Sequence, residues 1–228
     1  MRYGFYLPTR GPLANRSDLS AILDTAEKLG FASTMVADHI ILPTKIDSAY
    51  PYTVKGNFLS QGECFEQLAL MSFVAARTET MRIVSSVMIV PHRNPVFNAK
   101  SLATIDVLSE GRVTVGIGVG WMEEEFKALG TAPFKDRGRV TDEYVDIFRK
   151  LWTGKPVSYQ GEHYSFEEVI CEPVPIQQPG RRSGLAAIQT LPSAVSRNWA
   201  TAGTPLVPPP HHHCRRPKCG RSWTRSKA

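Results

Sequence analysis

Four short stretches carry side chains whose types and spacing could do chemistry: Asp38-His39, Ser85-Ser86-Val87, His92-Arg93-Asn94 and Gly116-Ile117-Gly118-Val119-Gly120-Trp121. His39 suits acid–base work at neutral pH, because an unperturbed imidazole titrates near 6.5. A lone histidine is as readily structural, and position alone leaves both roles open. Gly116, Gly118 and Gly120 recur at period two, so in a strand they share one face while Val115, Ile117 and Val119 share the other. A face without side chains leaves room for a planar ring against the backbone; the bland alternative is tight helix–strand packing. The pattern is not the dinucleotide fingerprint G-x-G-x-x-G, and it falls too far along the chain for that role. Arg93 could hold a phosphate or simply lie on the surface. Glu123-Glu124-Glu125 reads as a solvated first helical turn, favoured by the helix dipole.

These residues are strung along an alternating pattern. Residues 2–7 form a short apolar run, and Ser17 offers an N-cap to a helix with Leu19, Ile22, Leu23, Ala26 and Leu29 on one face. Residues 33–37 form a second run. After a long polar loop, Phe65, Leu68, Ala69, Phe73 and Ala76 recur at helical spacing. Residues 81–90 are β-rich, Asn94 caps a helix with Pro95 at its first position, and that helix stops near Gly111. Residues 112–119 make a fourth strand, and Val140, Tyr144, Ile147, Phe148 and Leu151 mark a fourth helix. Val157 to Phe166 then reads as a small hairpin turning at Gln160-Gly161. Strands alternating with helices imply right-handed crossovers and a parallel sheet, which a barrel and an open doubly wound sheet both satisfy. In a barrel, Asp38, Ser86, His92 and Gly118 would collect at the carboxyl ends of the strands, the face that carries active sites.

Composition decides what kind of partner to expect. A chain of 228 residues that is 42% hydrophobic can bury a real core. The formal charge of +6 suggests an acidic partner until it is located: nine of the 27 Lys and Arg, and none of the 21 acidic residues, fall after residue 180. The body is mildly acidic and the tail lacks an amphipathic or aromatic pattern, so neither nucleic acid nor membrane is expected as a partner. There is no long apolar run, and the opening residues enter a strand pattern instead of a signal peptide, which predicts a cytoplasmic protein. Cys64, Cys171, Cys214 and Cys219 are irregularly spaced, in keeping with a reducing compartment. His211-His212-His213-Cys214 with Cys219 is not a standard structural-zinc spacing, so no metal site is expected.

Three strings resemble the luciferase-like monooxygenase superfamily, and most closely its branch of coenzyme F420-dependent oxidoreductases found in actinobacteria: residues 31–39, residues 94–112 and residues 116–126. The resemblance runs from Met1 to about Pro179. It implies an α/β fold, a (β/α)8 TIM-barrel type, here incomplete, with about four βα units, a small hairpin and an irregular carboxyl-terminal tail. It implies coenzyme F420 as cofactor, with FMN as the alternative, a small-molecule substrate, and admits a homodimer. Asp38 and His39 match the pair often placed near the reacting carbon. Ser86-Val87 matches the position where related deazaflavin enzymes carry a non-prolyl cis peptide behind the ring, and the expected cofactor-binding set is Ser86, Val87, His92, Gly116, Gly118 and Gly120. Trp121 departs from the glutamate that some deazaflavin sugar-phosphate dehydrogenases keep there, which argues against that substrate class.

The expected division is a luciferase-like partial barrel over 1–180 and an irregular basic tail over 181–228. The tail has a further reading. Shifted by one base, Ala186 to Pro192 can encode Gly-Gly-Asn-Ser-Asp-Ala-Ala, and Asn198 to Pro205 can encode Glu-Leu-Gly-Asp-Gly-Trp-His-Pro. Both strings resemble the family's segment around the fifth strand. The readings that follow are an F420-dependent hydride-transfer enzyme, an FMN-dependent monooxygenase of the same fold, and an inactive product without a complete cofactor site.

Overall fold

The computed structural model describes residues 2–51 and 64–177. The elements are β1 (Gly4–Tyr6), α1 (Arg16–Lys28), β2 (Ser33–Val36), α2 (Gln67–Arg77), β3 (Arg82–Ile89), α3 (Pro95–Leu108), β4 (Val113–Gly118), α4 (Glu123–Leu129), α5 (Arg137–Leu151) and a hairpin of β5 (Val157–Gln160) and β6 (Ser165–Val169). The first four strands form one parallel sheet in the order β1-β2-β3-β4. Each strand is followed by the helix that covers it, the arrangement of four consecutive units of a TIM-type barrel. Among the described residues the barrel is incomplete, with β1 and β4 as its edges. The tail, its zinc-like residues and the frame-shifted strings lie outside the described residues.

The period-two pattern explains how the sheet is dressed. Val36, Ile83, Val113, Val115 and Ile117 turn toward the helices and pack with Leu23 of α1, Met71 and Val74 of α2, Leu102 of α3 and Ile147 and Phe148 of α5. Each such buried side chain contributes roughly 1.5–3 kcal/mol. Met35, Val84, Ser86 and Thr114 alternate to the other, barrel-interior face, which is only partly covered. Caps set the helix starts. Asn94 accepts from the Val96 and Phe97 N–H groups, with Pro95 at the first position. Ser17 lies inside α1; Asn15 caps that helix instead, accepting from Asp18 N. Asn15 wins because its backbone is extended, whereas Ser17 is already helical.

At the amino ends of the strands the chain returns after the hairpin to the foot of β4. Gln177 donates from its backbone N and its Nε2 to Asp106 (3.2 and 2.7 Å), and Nε2 also reaches the Val113 carbonyl at 2.7 Å. Arg82 donates to the Gln177 Oε1 and to the same carbonyl.

Candidate active site

At the carboxyl ends of the strands one carboxylate organises the loop that follows β2. Glu125, in the first turn of α4, is fully buried, and its Oε2 accepts from His39 Nδ1 at 2.8 Å. Its Oε1 accepts from the backbone N–H of Ile40 at 2.8 Å and of Ile41 at 3.3 Å. Burial opposes ionisation, but the His39 bond and the Ile40 N–H together hold the carboxyl below its ordinary range. Glu124 does similar work one residue earlier, accepting from Asp47 N and Ser48 N. Against the cost of burial, bonds from the Ser48 side chain and from these N–H groups hold it at about 2. The expectation of a solvated acidic turn over Glu123 to Glu125 is therefore corrected: two of its three carboxylates strap the β2–α2 loop to α4. The ring of His39 meets Trp121 edge-on at 6.4 Å, and Tyr50 leans on Trp121 at 5.0 Å.

Asp38 and Arg93 form a second buried network beneath this one. Both Asp38 oxygens accept from the Arg93 guanidinium (2.9 and 2.7 Å), and Oδ2 also accepts from Ile89 N at 2.7 Å, tying the end of β2 to the end of β3. Arg93 also donates twice to Glu66 Oε1. Its side chain is 7% exposed, so it is neither the phosphate holder nor the surface residue that its sequence position allowed. Asp38 comes together with His39 in sequence, but its oxygens are given to Arg93 and Ile89. His92 follows in a 3-10 turn and its side chain is wholly enclosed, edge-on to Phe126 at 4.6 Å. Burial lowers it to about 4 despite Glu125 and Asp38, so it is a neutral core imidazole. The expected cofactor-binding His92 is thus placed in the core, packed on Phe126, with its side chain enclosed.

The profile of the luciferase-like monooxygenase family matches residues 1–205. The chain belongs to this family. An uncharacterized protein of Mycobacterium tuberculosis is 33% identical over 154 residues, which are 67% of this chain and 53% of that protein. An FMNH2-dependent dimethylsulfone monooxygenase of Pseudomonas putida is 30% identical over 116 residues, 50% of this chain and 32% of that enzyme. Among solved structures, an F420-dependent secondary alcohol dehydrogenase in complex with an F420-acetone adduct superposes with a TM-score of 0.61 at 24% identity, covering 78% of this chain and 50% of that one. The likeness to that structure is one of fold. The chain spans about half the length of the curated mycobacterial relatives it matches.

A luciferase-like member implies a flavin or deazaflavin ring, and the inner face of β3 and β4 fits one. Between Ser85 and Met88 the pairing with β4 shifts register, and the Ser86–Val87 peptide is cis, as the resemblance implied. Val87 stands 37% exposed and leans over Gly118, where a Cβ would lie 2.4 Å from its Cγ2. A Cβ on Gly116 would lie 2.4 Å from the Ser85 carbonyl oxygen. The glycine face is therefore not an empty trough: Gly116 and Gly118 let β3 bulge against β4, and the bulge offers Val87 as an apolar seat for a planar group. Tyr6 joins it by a 2.6 Å hydrogen bond to Ser86 Oγ. Gly120, at φ 83°, packs instead on Phe126 and Ile89, and a Cβ there would lie within 3 Å of both. Sequence reasoning missed Glu125 altogether. The available signal was that a glutamate in the first turn after β4 must face either solvent or the neighbouring strand ends, and nothing in three consecutive glutamates says which.

Proposed function

We propose that this chain is the strand one-to-four half of an oxidoreductase that moves hydride between coenzyme F420 and a small organic substrate. The observation that carries the reading is the His39–Glu125 pair at the carboxyl ends of the parallel strands, together with Val87 exposed on β3. A bound deazaflavin would supply the hydride chemistry, and the protein would position and polarise. Val87 and Ser86 would back the ring, with Gly116 and Gly118 behind them. His39 would give or take the proton at the substrate oxygen. Asp38, locked by Arg93, acts as a positioning residue that fixes where the His39 backbone leaves β2. Trp121 and Tyr50 would form an aromatic wall beside His39 that suits an uncharged substrate. The second reading, an FMN-dependent monooxygenase, is favoured by the 30% identity to the Pseudomonas putida enzyme.

The tail belongs to the same proposal. Gln177 delivers the chain to the foot of β4, and read one base out of frame residues 186–192 and 198–205 can encode strings that resemble the family's segment around the fifth strand. The functional protein is thus proposed to continue in the shifted frame. The test pairs wild type with His39→Ala in that continued protein. Turnover should fall about 10²–10⁴-fold with cofactor affinity nearly intact, as expected of an acid–base group. Unchanged turnover would return His39 to a structural role.

A further inference from the structure

Glu125 stands between two imidazoles, and its two oxygens are used differently. Oε2 meets His39 Nδ1 at 2.8 Å; Oε1 accepts the Ile40 and Ile41 N–H groups and lies 3.8 Å from His92 Nδ1. An ionised carboxylate has only acceptors, and a backbone N–H has only a donor, so the Oε1 side fixes which way the carboxylate can point. His92 makes no hydrogen bond through either ring nitrogen and is neutral, so it does not compete for the carboxylate's charge. Oε2 is turned to His39.

We propose that Glu125 is a positioning residue that holds His39 as the Nδ1–H tautomer and thereby puts the basic lone pair on Nε2. The inference rests on His39 being the acid–base group, but it concerns only this chain's own atoms. The neutral imidazole has two tautomers, and the hydrogen bond made by one nitrogen decides which of the two the other nitrogen presents. A buried carboxylate behind a histidine does this by accepting from one ring N–H and aligning the ring, without taking the proton itself. The strap to Ile40 and Ile41 adds the second half of the device, because the same carboxylate that selects the tautomer also fixes the backbone on which His39 sits.

A glutamine at position 125 cannot reproduce this. It offers one acceptor oxygen and one NH2 donor, so it can accept from Ile40 and Ile41 or from His39 Nδ1, and must face the remaining group with a donor. If the amide oxygen keeps the two backbone N–H groups, the NH2 meets His39 and drives it to the Nε2–H form. If the oxygen keeps His39, the loop at Ile40 loses its anchor. Glu124→Gln is the matched control, since Glu124 straps the same loop through Asp47 and Ser48 and does not touch His39.

The experiment is ring nitrogen-15 NMR of histidine-labelled 228-residue protein at pH 8, with His39 assigned by its loss in His39→Gln. Wild type should show His39 wholly as the Nδ1–H tautomer. Glu125→Gln should convert it to the Nε2–H form or to a mixture, Glu125→Asp should recover part of the wild-type signal, and Glu124→Gln should leave it unchanged. A wild-type His39 in the Nε2–H form would overturn the proposal without any variant, as would an unaltered tautomer in folded Glu125→Gln. If Glu125→Gln does not fold, the wild-type spectrum together with Glu125→Asp still decides. No cofactor is added, so the proposed hydride-transfer function can fail while the tautomer result stands, and the reverse.

Discussion

Replacing Arg93 by methionine separates a structural cation from a ligand-binding one. The substitution keeps most of the apolar stem and removes the guanidinium that serves both Asp38 oxygens and Glu66. Asp38 is wholly buried and would keep only the Ile89 N–H, whereas Glu66 is 37% exposed and can turn to water. The cost is therefore dominated by Asp38, left as a buried charge with half its partners gone. Breaking one side of such a pair costs about 3–5 kcal/mol, and the exposed Glu66 contact adds less than about 1 kcal/mol. A domain of this size loses about 2–4 °C of Tm per kcal/mol, so Arg93→Met should melt about 6–20 °C below wild type. Urea unfolding followed by circular dichroism gives the free energy independently. Asp38→Asn should cost less, because Arg93 keeps Glu66 and the amide oxygen can still accept from Ile89 N. A variant within about 0.5 kcal/mol of wild type would refute the reasoning, since surface and ligand-facing residues cluster at that value.

Three other outcomes follow from the geometry. Gly116→Ala should destabilise by about 1–3 kcal/mol, because its Cβ would meet the Ser85 carbonyl oxygen, a backbone atom that moves only with the bulge; Gly118→Ala should cost less, since the Val87 side chain can yield, and the two urea midpoints check the order. Glu27 accepts from Glu79 N, Thr80 N and Oγ1, and Met81 N, and these bonds outweigh its partial burial to hold it at about 2, below the ordinary 4.5. Its contribution, about 1–2 kcal/mol after allowance for solvent, is complete above pH 4.5 and is lost as pH falls toward 2. Glu27→Gln should therefore be less stable than wild type at pH 6, with the gap closing by pH 2; a gap that is constant with pH would contradict this. The 228-residue chain should not bind either cofactor in the micromolar range, checked by equilibrium dialysis; micromolar binding would overturn the reading of its tail.

The parallel sheet was legible because burial on one face leaves a period-two mark: Val113, Val115 and Ile117 alternate with Thr114, Gly116 and Gly118, and the structure turns the first set to the helices. The place of His39 just beyond β2 followed from the strand pattern, and the Ser86-Val87 pair within β3 from the family resemblance. The partners of these residues did not, because a polar side chain beyond a strand end has no period to reveal its direction. Arg93 lies between buried His92 and the cap Asn94, and only the 3-10 turn over Val90–His92 directs it inward to Asp38. Glu125 has the same composition as Glu123 beside it, yet one is enclosed and the other makes a surface pair with Lys127. Of the three glycines expected on one strand face, Gly116 and Gly118 lie against the β3 bulge, whereas Gly120 lies past the end of β4 and packs on Phe126 and Ile89, a division that required the neighbours' geometry.

The most direct test of the proposed function is a paired fluorescence titration of coenzyme F420 and FMN into the protein continued in the shifted frame after codon 181. The account predicts that F420 binds at least about tenfold more tightly than FMN, a difference of about 1.4 kcal/mol. Tighter binding of FMN would contradict it and assign the His39 site to flavin-dependent oxygenation instead.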